Sequence, residues 1–261
     1  MKVAICMSGQ LREWEFGAQN QKWFWSSFDS NDLEVDYFIH TWNYSQDRPG
    51  VSQPYTEREV SKEEYQKLIE FYAPKKSILD NKRISYFRGN DHWSSLFYSL
   101  GQSILLKQQY ELENNFKYDL VVKTRPDVVF SPQYHAHIIH RIVDTQIVTT
   151  HGGMLKAEFN HINFNDCVFY SNSYTMDLLI NLYFYRQEIM HPNKHISKNR
   201  AYIPIGPGVL MQNFFRDYGI IPYFSTRWIE TLLKEGVPKV DLFDLNEFNK
   251  VEAYFRKWYT R

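Results

Sequence analysis

The sequence predicts an α/β protein with a mostly parallel central sheet flanked by helices, and three observations carry that expectation. Short continuous apolar runs such as Val3 to Met7 and Leu120 to Val122 have the length and composition of strands buried on both faces. Segments of helical length, some with apolar residues at three- and four-residue spacing, alternate with them. The apolar runs stop abruptly in polar clusters: Ser8-Gly9-Gln10-Leu11-Arg12, His40-Thr41-Trp42-Asn43 and Lys123-Thr124-Arg125-Pro126-Asp127. In an open α/β sheet the ligand crevice lies just beyond the carboxyl ends of the strands, so these clusters are candidates for site chemistry.

Taken in order, Val3 to Met7 is a central strand. At its end Ser8 and Gly9 let backbone N–H groups approach a ligand, and Arg12 can reach a diphosphate with a bidentate fork. An ordinary tight turn with a solvated arginine is the alternative. Trp14 to Phe28 reads as a crossover helix rich in aromatic surface. Val35 to Trp42 is the second strand, and His40 and Trp42 at its end suit a nucleoside or a purely structural role. Tyr44 to Tyr55, with Pro49-Gly50 and Pro54, reads as a loop long enough to serve as a lid.

Ser61 opens a helix to Tyr72, with Glu63 and Glu64 in its first turn as the macrodipole favours and Ala73-Pro74 stopping it. The basic segment Lys75 to Arg88 surrounds two short strands, Ser77 to Leu79 and Ile84 to Phe87. Asn90-Asp91 then caps a long helix from His92 to about Asn114, whose stripe is Leu96, Phe97, Leu100, Ile104, Leu105 and Leu112. Tyr118 to Phe130 follows as a buried strand interrupted by its polar cluster. Its Arg125 and Asp127 are either a surface ion pair or part of a site.

Farther on, His135, His137 and His140 fit neither strand nor helix spacing for a common metal, so ligation by them is not expected. Gln146 to Thr150 is another short strand, followed by the turn His151-Gly152-Gly153. Ile162 to Tyr170 has period-two character and leads into a helix with Met176, Leu179, Ile180, Tyr183 and Phe184 on its buried face. Asp166, an acid at the start of an apolar run near the turn end of the sheet, is a candidate general base or a backbone cap. His191 to Arg200 is a basic loop, and Ile203 to Gly208 a rigid turn before a helix from Val209 to Asp217. Gly219 to Phe224 is the last strand and Glu247 to Trp258 a C-terminal helix.

Lysine plus arginine and aspartate plus glutamate both total 30, so the net charge is zero, which argues against a general nucleic-acid coat but leaves room for a local basic groove. Aromatic residues make up 17% of the chain, more than a core alone requires, so some are expected on a ligand surface. Cys6 and Cys167 sit in apolar runs and read as small buried hydrophobes, in keeping with a reducing compartment. No run has membrane-spanning length, and Val3 to Met7 is too short for a signal peptide. A soluble, cytoplasmic protein in one domain over residues 1–261 is expected.

ICMSGQLR (Ile5 to Arg12), YFIHTW (Tyr37 to Trp42), YDLVVKTRPDVVF (Tyr118 to Phe130) and the Asp166 run together resemble the small GT-A-type glycosyltransferases of phages, large viruses and bacterial polysaccharide clusters. The resemblance spans roughly residues 1–185. It implies a Rossmann-type sheet, with residues 1–130 binding a nucleotide-sugar donor, a UDP-sugar in the usual case, and residues 131–261 binding the acceptor. It further implies that Ser8, Gly9, Gln10 and Arg12 meet the diphosphate, and that His40, Thr41 and Trp42 line the nucleoside. Lys123, Arg125 and Asp127 occupy the place of the metal and diphosphate motif. Asp127 would then hold a divalent Mn or Mg ion, and Asp166 would face the acceptor in an inverting transfer.

Here Arg-Pro-Asp stands where that family usually has Asp-x-Asp, so Arg125 neutralising the diphosphate without a metal is the other possibility. A narrower resemblance is to T-even-like phage transferases that add a pentose such as arabinose to hydroxymethylated or hydroxylated cytosine in DNA. It would place the protein in the host cytoplasm, with base-extruded DNA as acceptor. A surface glycan is the alternative acceptor. A non-catalytic binding module is the alternative class.

Overall fold

A computed structural model describes residues 1–28, 33–47, 56–81, 92–136, 147–151, 154–156, 161–163, 166–190, 207–225, 230–232, 240–250 and 253. The chain begins with β1 (Lys2–Gly9), α1 (Trp14–Ser26) and β2 (Glu34–Trp42), then β3 (Tyr44–Asp47), β4 (Thr56–Glu59), α2 (Lys62–Tyr72), β5 (Lys76–Asp80) and α3 (His92–Asn114). It continues through β6 (Leu120–Thr124), β7 (Val128–Phe130), β8 (Ile147–His151), β9 (Met154–Lys156), β10 (His161–Asn163) and β11 (Phe169–Ser171). The remaining elements are α4 (Ser173–Leu178), a 3-10 turn (Leu179–Asn181), α5 (Leu182–Met190), α6 (Pro207–Asp217), β12 (Ile221–Ser225) and β13 (Glu230–Leu232).

The main sheet has seven strands in the order β12-β8-β11-β6-β1-β2-β5. All its pairings are parallel except those of β11, which runs against both β6 and β8. The α/β class with a mostly parallel sheet flanked by helices is therefore the observed one. Strands from both sides of residue 130 share this sheet.

Alternation along β1 divides the core into two layers. Val3, Ile5 and Met7 face one cluster with Phe24 and Trp25 of α1 and Leu68 of α2. Ala4 and Cys6 face the other, with Phe97, Leu100 and Ile104 of α3, Met176 of α4 and Phe214 of α6. Burial on both faces explains why β1 and β6 read as continuous apolar runs rather than alternating ones.

The structure corrects the expected elements in several places. Tyr44 to Tyr55 is not a loop from its start, because β3 and β4 form an antiparallel hairpin with Tyr44 opposite Glu59. Ile162 to Tyr170 is not one strand: β10 pairs with β9 in a separate two-stranded sheet, and β11 belongs to the main sheet. The helix after β11 is broken by the 3-10 turn, whose wider angle per residue rotates the apolar stripe, and Phe184 is left 63% exposed. On α3 the buried stripe takes in Leu106, and Leu112 is 73% exposed. The strand expected at Ile84 to Phe87, His137, His140, Gly152 and Gly153, and the segment His191 to Gly206 lie outside the described residues. His135 is exposed, with its ring 5.6 Å from that of Trp23.

Candidate functional site

Strand register gathers the polar clusters at one edge. Ser8 lies opposite His40, Gly9 opposite Thr41, and Met7 opposite Thr124, so β1, β2 and β6 end together. Antiparallel β11 begins where they end, with Phe169 opposite Lys123, and this carries the preceding Asp166 and Cys167 past the end of β6 toward Arg125.

At this edge Arg125 grips Asp127 with two parallel bonds, Nε to Oδ1 at 2.7 Å and a terminal nitrogen to Oδ2 at 2.6 Å. Arg12 approaches the same carboxylate at 3.8 Å. Asp127 has no exposed side-chain surface, whereas Arg125 keeps 14% and Arg12 19%. Burial pushes the Asp127 carboxyl up, but the charge and hydrogen bonds of Arg125, then the charge of Arg12, outweigh it and hold it below the ordinary carboxylate range. Two guanidiniums thus face one buried carboxylate.

Arg12 also joins three pieces of chain. Its Nε donates to the Gln46 carbonyl of β3 at 2.5 Å and a terminal nitrogen to Gln10 Oε1 at 2.6 Å. That same Oε1 accepts the Gln46 backbone N–H at 3.0 Å. From the hairpin side, Arg58 donates to the Leu11 carbonyl at 2.7 Å and grips Glu64 with two bonds. Gly9 has φ +134°, and a Cβ there would lie 3.8 Å from Pro126 Cδ and 3.9 Å from Arg125 Cγ. The close approach of β1 to the Arg-Pro-Asp turn therefore uses a backbone conformation that favours glycine.

The turn itself is held by two α1 residues that sequence reasoning passed over. Asn20 pairs with the backbone of Phe130 in both directions, at 2.9 and 2.7 Å. Gln21 Nε2 lies 3.1, 2.9 and 2.5 Å from the carbonyls of Arg125, Pro126 and Val128. The available signal was a run of three amides, Gln19-Asn20-Gln21, in an aromatic-rich helix, of which the last two prove to be buried.

Several expected ligand residues do not open to the crevice. His40 is fully buried, with Nδ1 2.8 Å from Ser99 Oγ and Nε2 3.7 Å from Asp80. Burial lowers its pKa to about 4 against the opposing pull of Asp80, so the ring is neutral. Trp42 is 2% exposed and its ring stacks on Tyr98 at 5.7 Å. Thr41 donates to the Gly9 carbonyl at 2.8 Å. Ser8 is buried, and its hydroxyl has no hydrogen-bond partner among the described residues. Lys123 is buried and turned onto the carbonyls of Asp166 and Cys167. These side chains form the floor beneath the edge. Gly9, Gln10, Arg12, Arg125 and the half-buried Asp166 make up its rim.

A divalent ion does not fit Asp127 as it is arranged. Both of its oxygens accept from Arg125, it has no solvent-facing surface, and a second cation already stands 3.8 Å away. Among the described residues no group of three or more His, Cys, Asp or Glu side chains is placed to hold a metal. Beside Arg12 a cavity of about 610 Å³ opens under the hairpin, lined in part by Phe16, Glu13, Glu57, Arg58 and Glu64.

No helix among the described residues is long and apolar enough to cross a membrane. No family model and no curated protein matches the sequence. Among solved structures, the chain is similar to a glycosyltransferase involved in the glycosylation of the major capsid of PBCV-1. The identity is 9% and the TM-score 0.40, over 86% of this chain and 81% of that one.

Proposed function

We propose that this protein is a glycosyltransferase that moves a sugar from a nucleoside-diphosphate donor, a UDP-sugar in the simplest case, to a hydroxyl group of a glycan acceptor. The observation that carries the reading is the pair of guanidiniums converging on one buried carboxylate at the sheet edge, with Asp166 in the bend that leads into the neighbouring strand. Two fixed guanidiniums suit a departing diphosphate. A fixed cation in a site of low dielectric stabilises developing anionic charge without reorganising when the bond breaks.

In the proposed reaction the acceptor oxygen forms a bond to the sugar's anomeric carbon as the bond from that carbon to the diphosphate oxygen breaks. The electron pair leaves with the diphosphate toward Arg125 and Arg12, and the acceptor proton passes to the Asp166 carboxylate. Displacement in one step inverts the anomeric centre. No step is routed through a metal ion, because Asp127 serves to fix the Arg125 fork.

The cavity under the hairpin supports a polyhydroxylated acceptor. Glu13, Glu15 and Glu57 around it carry hydroxyl-accepting oxygens, and with Glu64 the acids of the lining outnumber its two arginines, Arg12 and Arg58, which disfavours a polyanion. Of the basic segment expected to meet DNA, Lys75 lies 3.3 Å from Asp36 and Lys76 2.6 Å from Glu113, so both are paired with acids.

The test is a panel of nucleotide sugars, pentose donors included, incubated with glycan acceptors and with hydroxymethylcytosine DNA, with and without excess chelator, and read by mass spectrometry. Donor consumption by the wild type that is lost in Asp166→Asn supports the reading. No consumption of any donor would overturn it, and modification of DNA alone would overturn the glycan acceptor. Turnover is expected to be unchanged in chelator.

A further inference from the structure

Among the described cations of the edge, Lys123 is the one with no opening to the crevice. It sits at the end of β6 with no exposed surface, 5.6 Å from the Phe169 ring centroid. Its ammonium donates to the Asp166 carbonyl and, at 3.2 Å, to the Cys167 carbonyl. Those two carbonyls belong to the bend just before β11. A buried ammonium whose hydrogen bonds go to neutral carbonyls costs stability, and a methionine of similar length would avoid that cost.

We propose that Lys123 is a positioning residue: it pins the Asp166–Cys167 bend to the end of β6 and so holds the Asp166 carboxylate at the Arg125–Asp127 edge. The inference rests on the proposed role of Asp166. Asp166, Cys167, Arg125 and Asp127 are the charged or ionisable groups that bear on the ammonium, and burial outweighs them, lowering the Lys123 pKa to about 8. The bend carries its own reporter. Cys167 is half-buried whereas Cys6 is fully buried, its thiol pushed up to about 12 by burial, so alkylation should report chiefly on the bend.

The experiment compares wild type, K123M and K123R for Cys167 alkylation mapped by mass spectrometry, melting temperature, and kcat and donor KM at pH 7. K123M is expected to stay folded, to alkylate Cys167 several-fold faster, and to lose about tenfold or more in kcat with donor KM little changed, because a displaced base weakens chemistry more than binding. K123R, which keeps a charged donor, is expected to hold Cys167 near its wild-type rate and to recover part of kcat. Wild-type alkylation and kcat in K123M would overturn the proposal, as would a rise in donor KM alone. Should K123M fail to fold, loss of Cys167 protection in a folded K123R would overturn it. Absence of transfer by the wild type would count against the proposed function and leave the alkylation result to decide the latch.

Discussion

His40 and Asp127 set opposite kinds of charge problem, and both make the protein weaker in acid. His40 is held neutral by burial, with a pKa near 4 against 6.5 for the ordinary side chain. Between those values the unfolded chain takes up the proton first, so stability falls as pH drops from about 6.5 to about 4, by up to roughly 1.4 kcal/mol per pH unit. Asp127, its carboxyl held low by Arg125 and Arg12, stabilises the fold above its unfolded pKa and loses that contribution as pH falls through its folded one. Urea unfolding at pH 7, 5.5 and 4.5 is expected to show this slope, and His40→Asn to flatten its upper part. Asp127→Asn removes the partner of a buried guanidinium and is expected to destabilise the protein by about 3 to 5 kcal/mol and to abolish turnover. Equal stability of the variant and the wild type would refute the lock. Arg125 and Asp127 were legible in the sequence because a strand that ends in opposite charges points to a sheet edge. That His40 and Trp42 lie below the edge was not, since a side chain's depth depends on what α3 places over it.

At the scale of elements, the edge is assembled by α1 from one side and the hairpin from the other. Gln21→Leu removes an amide whose two hydrogens are shared among the carbonyls of Arg125, Pro126 and Val128, of which that of Arg125 also accepts from the Val128 N–H, and each buried group left unsatisfied costs about 1 to 3 kcal/mol. The variant is expected to melt several degrees lower and to lose activity out of proportion to the loss of folded protein, which calorimetry and initial rates would show. Arg58→Ala cuts the hairpin's bond to Leu11 and its pair with Glu64. Faster amide exchange at residues 44–47 and a raised KM are the expected result, and unaltered exchange would count against the hairpin as part of the site. The hairpin was hidden in the sequence because Thr-Glu-Arg-Glu in β4 is exposed throughout and carries no apolar alternation. Ile162 to Tyr170 misled for the opposite reason: alternation persisted across a bend whose carbonyls are taken by a lysine distant in sequence.

Across the whole molecule, strand ends, parallel pairing and the two-faced core were readable from apolar runs and the helices between them. The sheet order was not. β11 inserts between β6 and β8 in reverse, and β12 joins beyond β8, through pairings that local pattern does not encode. The neutral net charge likewise concealed a local cluster, two guanidiniums on one carboxylate. Retention of full turnover in excess chelator is the prediction that belongs at this scale, because it asks whether protein cations alone balance the donor's charge. Chelator-sensitive activity restored by Mn²⁺ would show that the lock opens to admit an ion.

The contacts of α1 have a consequence for the order in which the chain becomes competent. Asn20 meets Phe130 across 110 residues, and Gln21 meets Arg125 across 104. Contacts this distant in sequence form only after large loops close, which slows their appearance during folding. On a ribosome, α1 is complete long before the Arg-Pro-Asp turn has been made. A nascent chain that ends before residue 125 therefore carries Arg12 without the Arg-Pro-Asp turn, so under the proposed function nucleotide-sugar binding during synthesis would mark chains in which that turn has met β1.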